Sequence, residues 1–233
     1  MSKFTIIYSD FSARVNEVTL LRKKAAKLER SKDALLHGPE ISALCRASVV
    51  LLSSHIEAYI KELGEHTLDC AHKQLVPRDN IAPQFFYYIS RERIEGIRSS
   101  SNPDSIANHV QSLFDTDGQF WQGNGPLHGP ILSSSFNYGF SNPRFEKVKT
   151  YFNRFGYSNF YKDFMRKLGR RGSLVESSLN SIVDTRNSIA HGDPLATKTP
   201  AEVREMELSA REFCRTVDSI FAKWCRLNLC KIR

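Results

Sequence analysis

Four stretches of this chain carry apolar residues at a spacing that places them on one face of a helix. Between residues 11 and 36, Phe11, Val15, Val18, Leu21, Ala25, Leu28 and Leu35 recur with Arg and Lys between them, the pattern of a long amphipathic helix. Gly38 and Pro39 end it. A second helix is predicted from about residues 39–42 to Leu68, with a stripe of Leu44, Cys45, Val49, Leu52, Ile56, Tyr59, Ile60 and Leu63. The two read as an antiparallel helical hairpin. Beyond Gly172 the pattern returns in Leu174, Leu179, Ile182, Val183 and Ile189. Gly192 can take the left-handed position after the last turn, and Pro194 cannot continue the helix. The final helix opens on Thr199-Pro200-Ala201-Glu202, an N-cap, a first-turn proline and a capping-box glutamate in order. Its apolar face is Val203, Met206, Ala210, Phe213, Val217, Ile220, Phe221 and Trp224. The expected fold class is all-α.

The middle, roughly residues 71–173, has a different character. It is rich in Ser, Asn, Gly and Pro, with aromatic clusters such as Phe85-Phe86-Tyr87-Tyr88 and Phe120-Trp121. It reads as an irregular, partly helical insertion in a single domain of residues 1–233. A short helix is predicted near residues 142–155, because Pro143 suits a first turn and Phe145, Val148, Phe152 and Phe155 follow helical spacing. Gly118, Gly123, Gly125 and Gly129 do not make a phosphate-binding loop, since no Gly-Lys-Ser/Thr follows them; a flexible loop is expected.

The formal net charge of +8 is concentrated. Arg144, Lys147, Lys149, Arg154, Lys162, Arg166, Lys167, Arg170 and Arg171 stand against Glu146 and Asp163 alone. Such a cluster is either a solvated charged face or a polyanion-binding surface. Phe152, Phe155, Tyr157, Phe160, Tyr161 and Phe164 are interleaved with these cations, as in single-strand RNA-binding surfaces where bases stack on rings, or else they are core. The five cysteines, Cys45, Cys70, Cys214, Cys225 and Cys230, lack CxxC spacing and read as reduced core thiols. His66, Cys70 and His72 could contribute to a metal site, but a fourth ligand is not evident, so neither metal nor cofactor is expected. The apolar run over residues 47–52 is broken by Ser53, Ser54 and His55, short of the roughly 18 to 20 residues of a membrane span. The N-terminus does not read as a secretory signal, and a cytoplasmic location is expected.

The chemistry lies in Arg186-Asn187-Ser188-Ile189-Ala190-His191-Gly192 at the end of the third long helix. Asn187 and His191, four apart, share a face, and Arg186 is one position off with a side chain long enough to join them. A guanidinium can hold a phosphate, an amide can position it and an imidazole can move a proton. These are the parts needed to cleave RNA by internal attack of the 2′-hydroxyl. Spacing alone equally allows a last-turn histidine on the helix dipole and a solvated arginine.

Two long N-terminal helices, an insertion, a helix ending in Arg-Asn-x-x-x-His-Gly and a capped final helix resemble the HEPN superfamily of ribonucleases and ribonuclease-derived proteins. Arg186 to His191 fits its Arg-x4-6-His signature. Ser53-Ser54-His55-Ile56-Glu57-Ala58-Tyr59-Ile60 looks like the segment in which the defence-associated and RiboL-PSP-associated groups carry a Glu. Ser133-Ser134-Ser135-Phe136-Asn137, followed by a basic short helix, is similar to those groups too. The resemblance implies a four-helix up-down bundle, a homodimer with a composite metal-free site, and RNA as substrate. It also implies toxin or antiphage-effector roles, with an antitoxin or other regulatory protein as a possible partner. Arg186, Asn187 and His191 are the implied catalytic residues, with Glu57 as a candidate to orient Arg186 or His191. Where some members carry a modified tyrosine two residues after the His, this chain has Asp193, so that control is not implied. Two competing readings remain. One is a catalytically inactive module that dimerises or binds RNA or protein; the other is a metal-dependent hydrolase using His66, Cys70 and His72.

Overall fold

The computed structural model describes residues 4–121, 125–127 and 131–233. In chain order come α1 (Ile6–Glu29), α2 (Gly38–Lys73), α3 (Pro83–Ile89), α4 (Arg91–Ser99), α5 (Pro103–Ser112), α6 (Gly118–Trp121), α7 (Ser133–Asn137), α8 (Phe145–Asn153), α9 (Phe160–Leu168), α10 (Gly172–Ala190) and α11 (Pro200–Asn228). The protein is all-α: among the described residues no strand forms, and one isolated bridge pairs Pro77 with Pro126. α1, α2, α10 and α11 pack on one another as the four-helix frame.

α1 starts at Thr5, whose hydroxyl accepts from the Tyr8 N–H at 3.2 Å. Thr5 is in turn tied to the buried Asp218 of α11 through its own N–H and hydroxyl. The helix stops at Glu29, short of Leu36, and Leu35 and Leu36 are exposed. Arg30-Ser31-Lys32-Asp33 offers no apolar side chain for another buried turn, and Ser31 Oγ caps the Leu28 carbonyl at 2.7 Å. α2 runs past Leu68 because its buried stripe continues through Ala71. It contains an 18-residue window of mean hydropathy 1.2, long and apolar enough on those grounds alone to cross a membrane. Here it is the central helix, packed on α1, α10 and α11. The Tyr59 hydroxyl bonds the Cys214 carbonyl of α11 at 3.0 Å.

The insertion is more ordered than its composition suggested, and aromatics are the reason. Phe85, Phe136, Phe145, Phe152, Phe155, Phe160 and Phe164 are buried and belong to the same apolar cluster as the bundle. Phe136 meets Phe155, and Phe152 meets Phe221 of α11, each with centroids 4.5 Å apart. α8 forms where a short helix was expected, near residues 142–155, and α9 follows it as a second helix. Gly156, at φ +91°, ends the first in a conformation that L side chains rarely adopt, and it packs tightly on Ala82. The reversal lets Phe160 stack on Phe152 at 5.0 Å. Of the glycines considered as a loop, Gly118 opens α6 and Gly125 has φ +118°, while Gly123 and Gly129 lie outside the described residues.

All five cysteines are free thiols. Burial pushes Cys45 up to about 11 and Cys230 up to about 12. His66 Nε2 faces the Ile232 carbonyl at 3.1 Å and Cys70 Sγ at 3.6 Å. Among the described residues no three His, Cys, Asp or Glu side chains gather into an ion-binding set, so His66, Cys70 and His72 do not form one.

Candidate functional site

α10 carries two stripes. Val175, Leu179 and Ile182 face the core, and Arg186 falls where that stripe would continue, which leaves it half-buried. Asn180, Asp184 and Asn187, at positions i, i+4 and i+7, form a polar row beside it. This row docks the start of α8. Asn180 Oδ1 accepts the Phe145 N–H at 3.0 Å, meeting one of the donors that a helix start leaves free. Asp184 pairs with Arg144.

Arg186 Nη1 donates to Asn187 Oδ1 at 3.1 Å and to Asn142 Oδ1 at 3.2 Å. Asn142 sits just before α8 at φ +52°, a left-handed conformation that asparagine tolerates better than most residues. Its own N–H donates to Glu57 Oε2 at 3.1 Å, and Glu57 Oε1 takes Lys61 Nζ at 2.7 Å on the same helix. A polar chain thus runs from Lys61 and Glu57 on α2, through Asn142, to Arg186 and Asn187 on α10. Glu57 reaches Arg186 through Asn142, not directly. Its carboxylate makes no hydrogen bond or ion pair with His191.

His191 is the C-cap of α10, and Gly192 follows at φ +81°. The Gly192 N–H bonds the Ile189 carbonyl at 3.1 Å and the Asp193 N–H bonds Ser188 at 3.0 Å. That pair of bonds is the Schellman ending which the Gly192-Pro194 spacing predicted. The His191 side chain is exposed and makes no hydrogen bond or ion pair to any described residue. Beyond it, Arg46 of α2 donates to the Asp193 carbonyl at 3.0 Å and holds the outgoing loop against the bundle.

The nine basic residues do not form one surface. Arg154 is corrected: it is buried, donates to the Phe136 and Tyr138 carbonyls, and lies over the Tyr88 and Tyr151 rings at 4.6 and 5.1 Å. It holds the aromatic cluster and cannot meet a phosphate. The interleaved rings are corrected with it, since Phe152, Phe155, Tyr157, Phe160 and Phe164 are core and Tyr161 alone of the six is exposed. Arg144 and Lys147, which donates to the Ser141 carbonyl, lie at the start of α8 near Arg186. Lys149 pairs with Glu146. Arg166, Lys167, Arg170 and Arg171 sit at the other end of α10, with Lys162 one turn earlier on α9. At 1.5 Å per residue, the 19 residues of α10 put these about 28 Å from His191.

Asn142, Asn180 and Asp184 were missed from the sequence. Asn142 had a local signal, an asparagine between Ser141 and Pro143 where turns form. For Asn180 and Asp184 only their spacing from Asn187 on one face could have pointed to them.

No curated protein and no solved structure is matched by this chain. A family model described as RiboL-PSP-HEPN matches residues 9–223, nearly the whole chain. The protein therefore belongs to the RiboL-PSP-HEPN family, a HEPN group that suggests an RNase-like or RNA-binding function.

Proposed function

We propose that the protein is a metal-independent endoribonuclease. The observation that carries this reading is the fixed Arg186: one guanidinium nitrogen is held by two asparagine oxygens, while its other N–H groups bond no described residue and can bind a phosphate. His191 stands on the adjoining helix end, open to solvent and four residues from Asn187. In the proposed reaction His191 takes the proton of a 2′-hydroxyl as its oxygen attacks phosphorus. The bond to the 5′-oxygen breaks, that oxygen gains a proton, and the products end in a 2′,3′-cyclic phosphate and a 5′-hydroxyl. Arg186 neutralises the charge that builds on the phosphoryl oxygens. Asn187 and Asn142 keep its plane fixed, and Glu57 positions Asn142.

One histidine cannot serve as both base and acid at the same moment, which supports a homodimer whose second motif supplies the other proton transfer. A toxin or antiphage effector acting in the cytoplasm, with a regulatory protein to restrain it, is the setting proposed with this chemistry. The competing reading, a binding module without catalysis, is favoured by one observation: no described residue orients the His191 ring. RNA cleavage in EDTA, with product ends mapped, separates the two. Cyclic phosphate ends and intact DNA are expected; strict dependence on an added divalent cation, or RNA bound but uncut, contradicts the proposal.

A further inference from the structure

A groove at the far end of α10 has the composition of a nucleotide-binding surface. One cavity, about 390 Å³, lies between α9 and α11 and is lined by Tyr157, Arg166, Lys167, Lys223 and Trp224 among others. A second, about 360 Å³, shares Lys167 and Ser219 with it and adds Arg215 and Glu212. The two adjoin at Lys167 and Ser219. Arg215, Ser219 and Lys223 lie four residues apart on α11 and form a single ridge along it.

Two features point to a ligand. The first is charge. The groove's carboxylates are already satisfied: Asp163 accepts the Tyr157 hydroxyl at 2.8 Å and Arg166 at 2.7 Å, and Glu212 pairs with Arg171. Lys167, Arg215 and Lys223 have no carboxylate partner among the described residues. The second is a cluster of three near-parallel rings, with Tyr157 and Phe221 themselves 6.2 Å apart. Trp224 lies 8° from parallel with Phe221 at 5.9 Å and 17° from parallel with Tyr157 at 5.1 Å. Phe221 and Tyr157 are buried, while Trp224 is partly exposed on the cavity wall. Unpaired cations beside an available aromatic face are what a base and its phosphates require.

We infer that the α9–α11 groove binds single-stranded RNA, with a base on Trp224 and phosphates along Lys167, Arg215 and Lys223. A single strand fits better than a lone nucleotide, because the cations extend beyond one cavity into the next. The choice of RNA rests on the ribonuclease reading above; the groove itself does not. A strand reaching from Lys167, just before the start of α10, to His191 covers at least about 28 Å, on the order of eight nucleotides at 3.4 Å each. The groove then holds RNA at a distance from the cut.

The experiment uses Trp224 as reporter. In the full-length Trp121→Phe protein, Trp224 is the remaining tryptophan, and its fluorescence is followed during titration with an eight-nucleotide 2′-O-methyl oligouridylate, which cannot be cleaved. Saturable quenching is expected, weakening as salt rises. Lys167→Glu combined with Lys223→Glu should weaken binding at least tenfold and flatten the salt slope by about 1.4, at about 0.7 per phosphate contact. Arg215→Glu is the second variant, and circular dichroism shows that each retains its helices. Absence of quenching, or affinity that neither variant changes, overturns the proposal. Uridine monophosphate is the control for a free nucleotide, and quenching as tight as with the oligomer also overturns it. The readout does not involve cleavage, so an inactive protein with an intact groove still quenches, and an active one without the groove does not.

Discussion

At its C-terminal end α10 presents polar groups that hold one another, Arg186 to Asn187 and Asn142, and Asn142 to Glu57, and then leaves His191 with no partner. Around its N-terminal end the arrangement is reversed: carboxylates are paired off while Lys167, Arg215 and Lys223 have no carboxylate partner among the described residues and lie beside a cluster of rings. The difference separates two tasks. Charge stabilisation requires a guanidinium whose position does not drift, and proton transfer requires an imidazole free to change state. Binding requires many unpaired cations and tolerates their motion, because counterion release does not depend on exact geometry. One 19-residue helix thus connects a rigid polar site to a loose electrostatic one.

The most severe way to break this comparison is Arg186→Ala. On this account it lowers single-turnover cleavage by about 10² to 10³ and leaves oligonucleotide binding at the α9–α11 groove unchanged. Equal losses in both would show that the ends are not independent.

Both ends also depend on how the insertion sits on α2. Gly64 is where they meet, since a Cβ there would lie 1.9 Å from the Tyr151 hydroxyl. That hydroxyl is fixed to Asn137 Oδ1 at 2.5 Å and cannot give way cheaply. Gly64→Ala should cost about 1 to 3 kcal/mol in urea unfolding. A neutral result would show that α8 is not wedged against α2 and that the start of α8 is free to move relative to Arg186.

Asn142→Ala sharpens the polar end. It removes one of the two acceptors of Arg186, and a net hydrogen bond to a charged group, about 1.5 kcal/mol, corresponds to roughly a tenfold loss of rate. Asn142→Asp should restore part of it, whereas a purely structural role for Asn142 would show no such rescue. Glu57→Gln, which keeps an acceptor for the Asn142 N–H, should have the smaller effect.

The smallest effect concerns pH and stability. His55 on α2 is mostly buried beside Glu17, and burial lowers its pKa from the usual 6.5 despite the opposing pull of that carboxylate. A folded pKa below the unfolded one means that its contribution is complete above about 6.5 and declines as pH falls through that value toward the folded pKa. Thermal melts should therefore show less loss of stability on acidification in His55→Gln than in wild type. Identical pH profiles would contradict this.

How much of this was legible depended on the range of the cause. Gly192, Pro194 and Thr199-Pro200-Ala201-Glu202 act on neighbouring backbone, and the helix end, the capping box and the Thr199 N-cap formed where they pointed. Arg186, Asn187 and His191 could be singled out because their spacing lies at one helix end, and the Arg186–Asn187 contact formed there. Asn142 was not, because its role arises from where residues 57 and 186 sit in space. The aromatic-basic segment misled for the same reason: one-dimensional interleaving of rings and cations does not say which side faces α11. Burial resolved it, taking Phe152, Phe155 and Arg154 inward and leaving Trp224, some seventy residues away, as a ring beside cations with no carboxylate partner among the described residues.

If His191 performs chemistry and not binding, its loss shows in rate and not in affinity. Wild-type protein and His191→Ala are compared in EDTA on a single-stranded RNA, measuring the single-turnover rate and, separately, the affinity for a non-cleavable copy. A loss of about 10² to 10⁴ in rate, equal affinity, and 2′,3′-cyclic phosphate ends from the wild type alone are expected. Wild-type protein that binds the RNA and leaves it whole, or a variant that cleaves as fast, would contradict it.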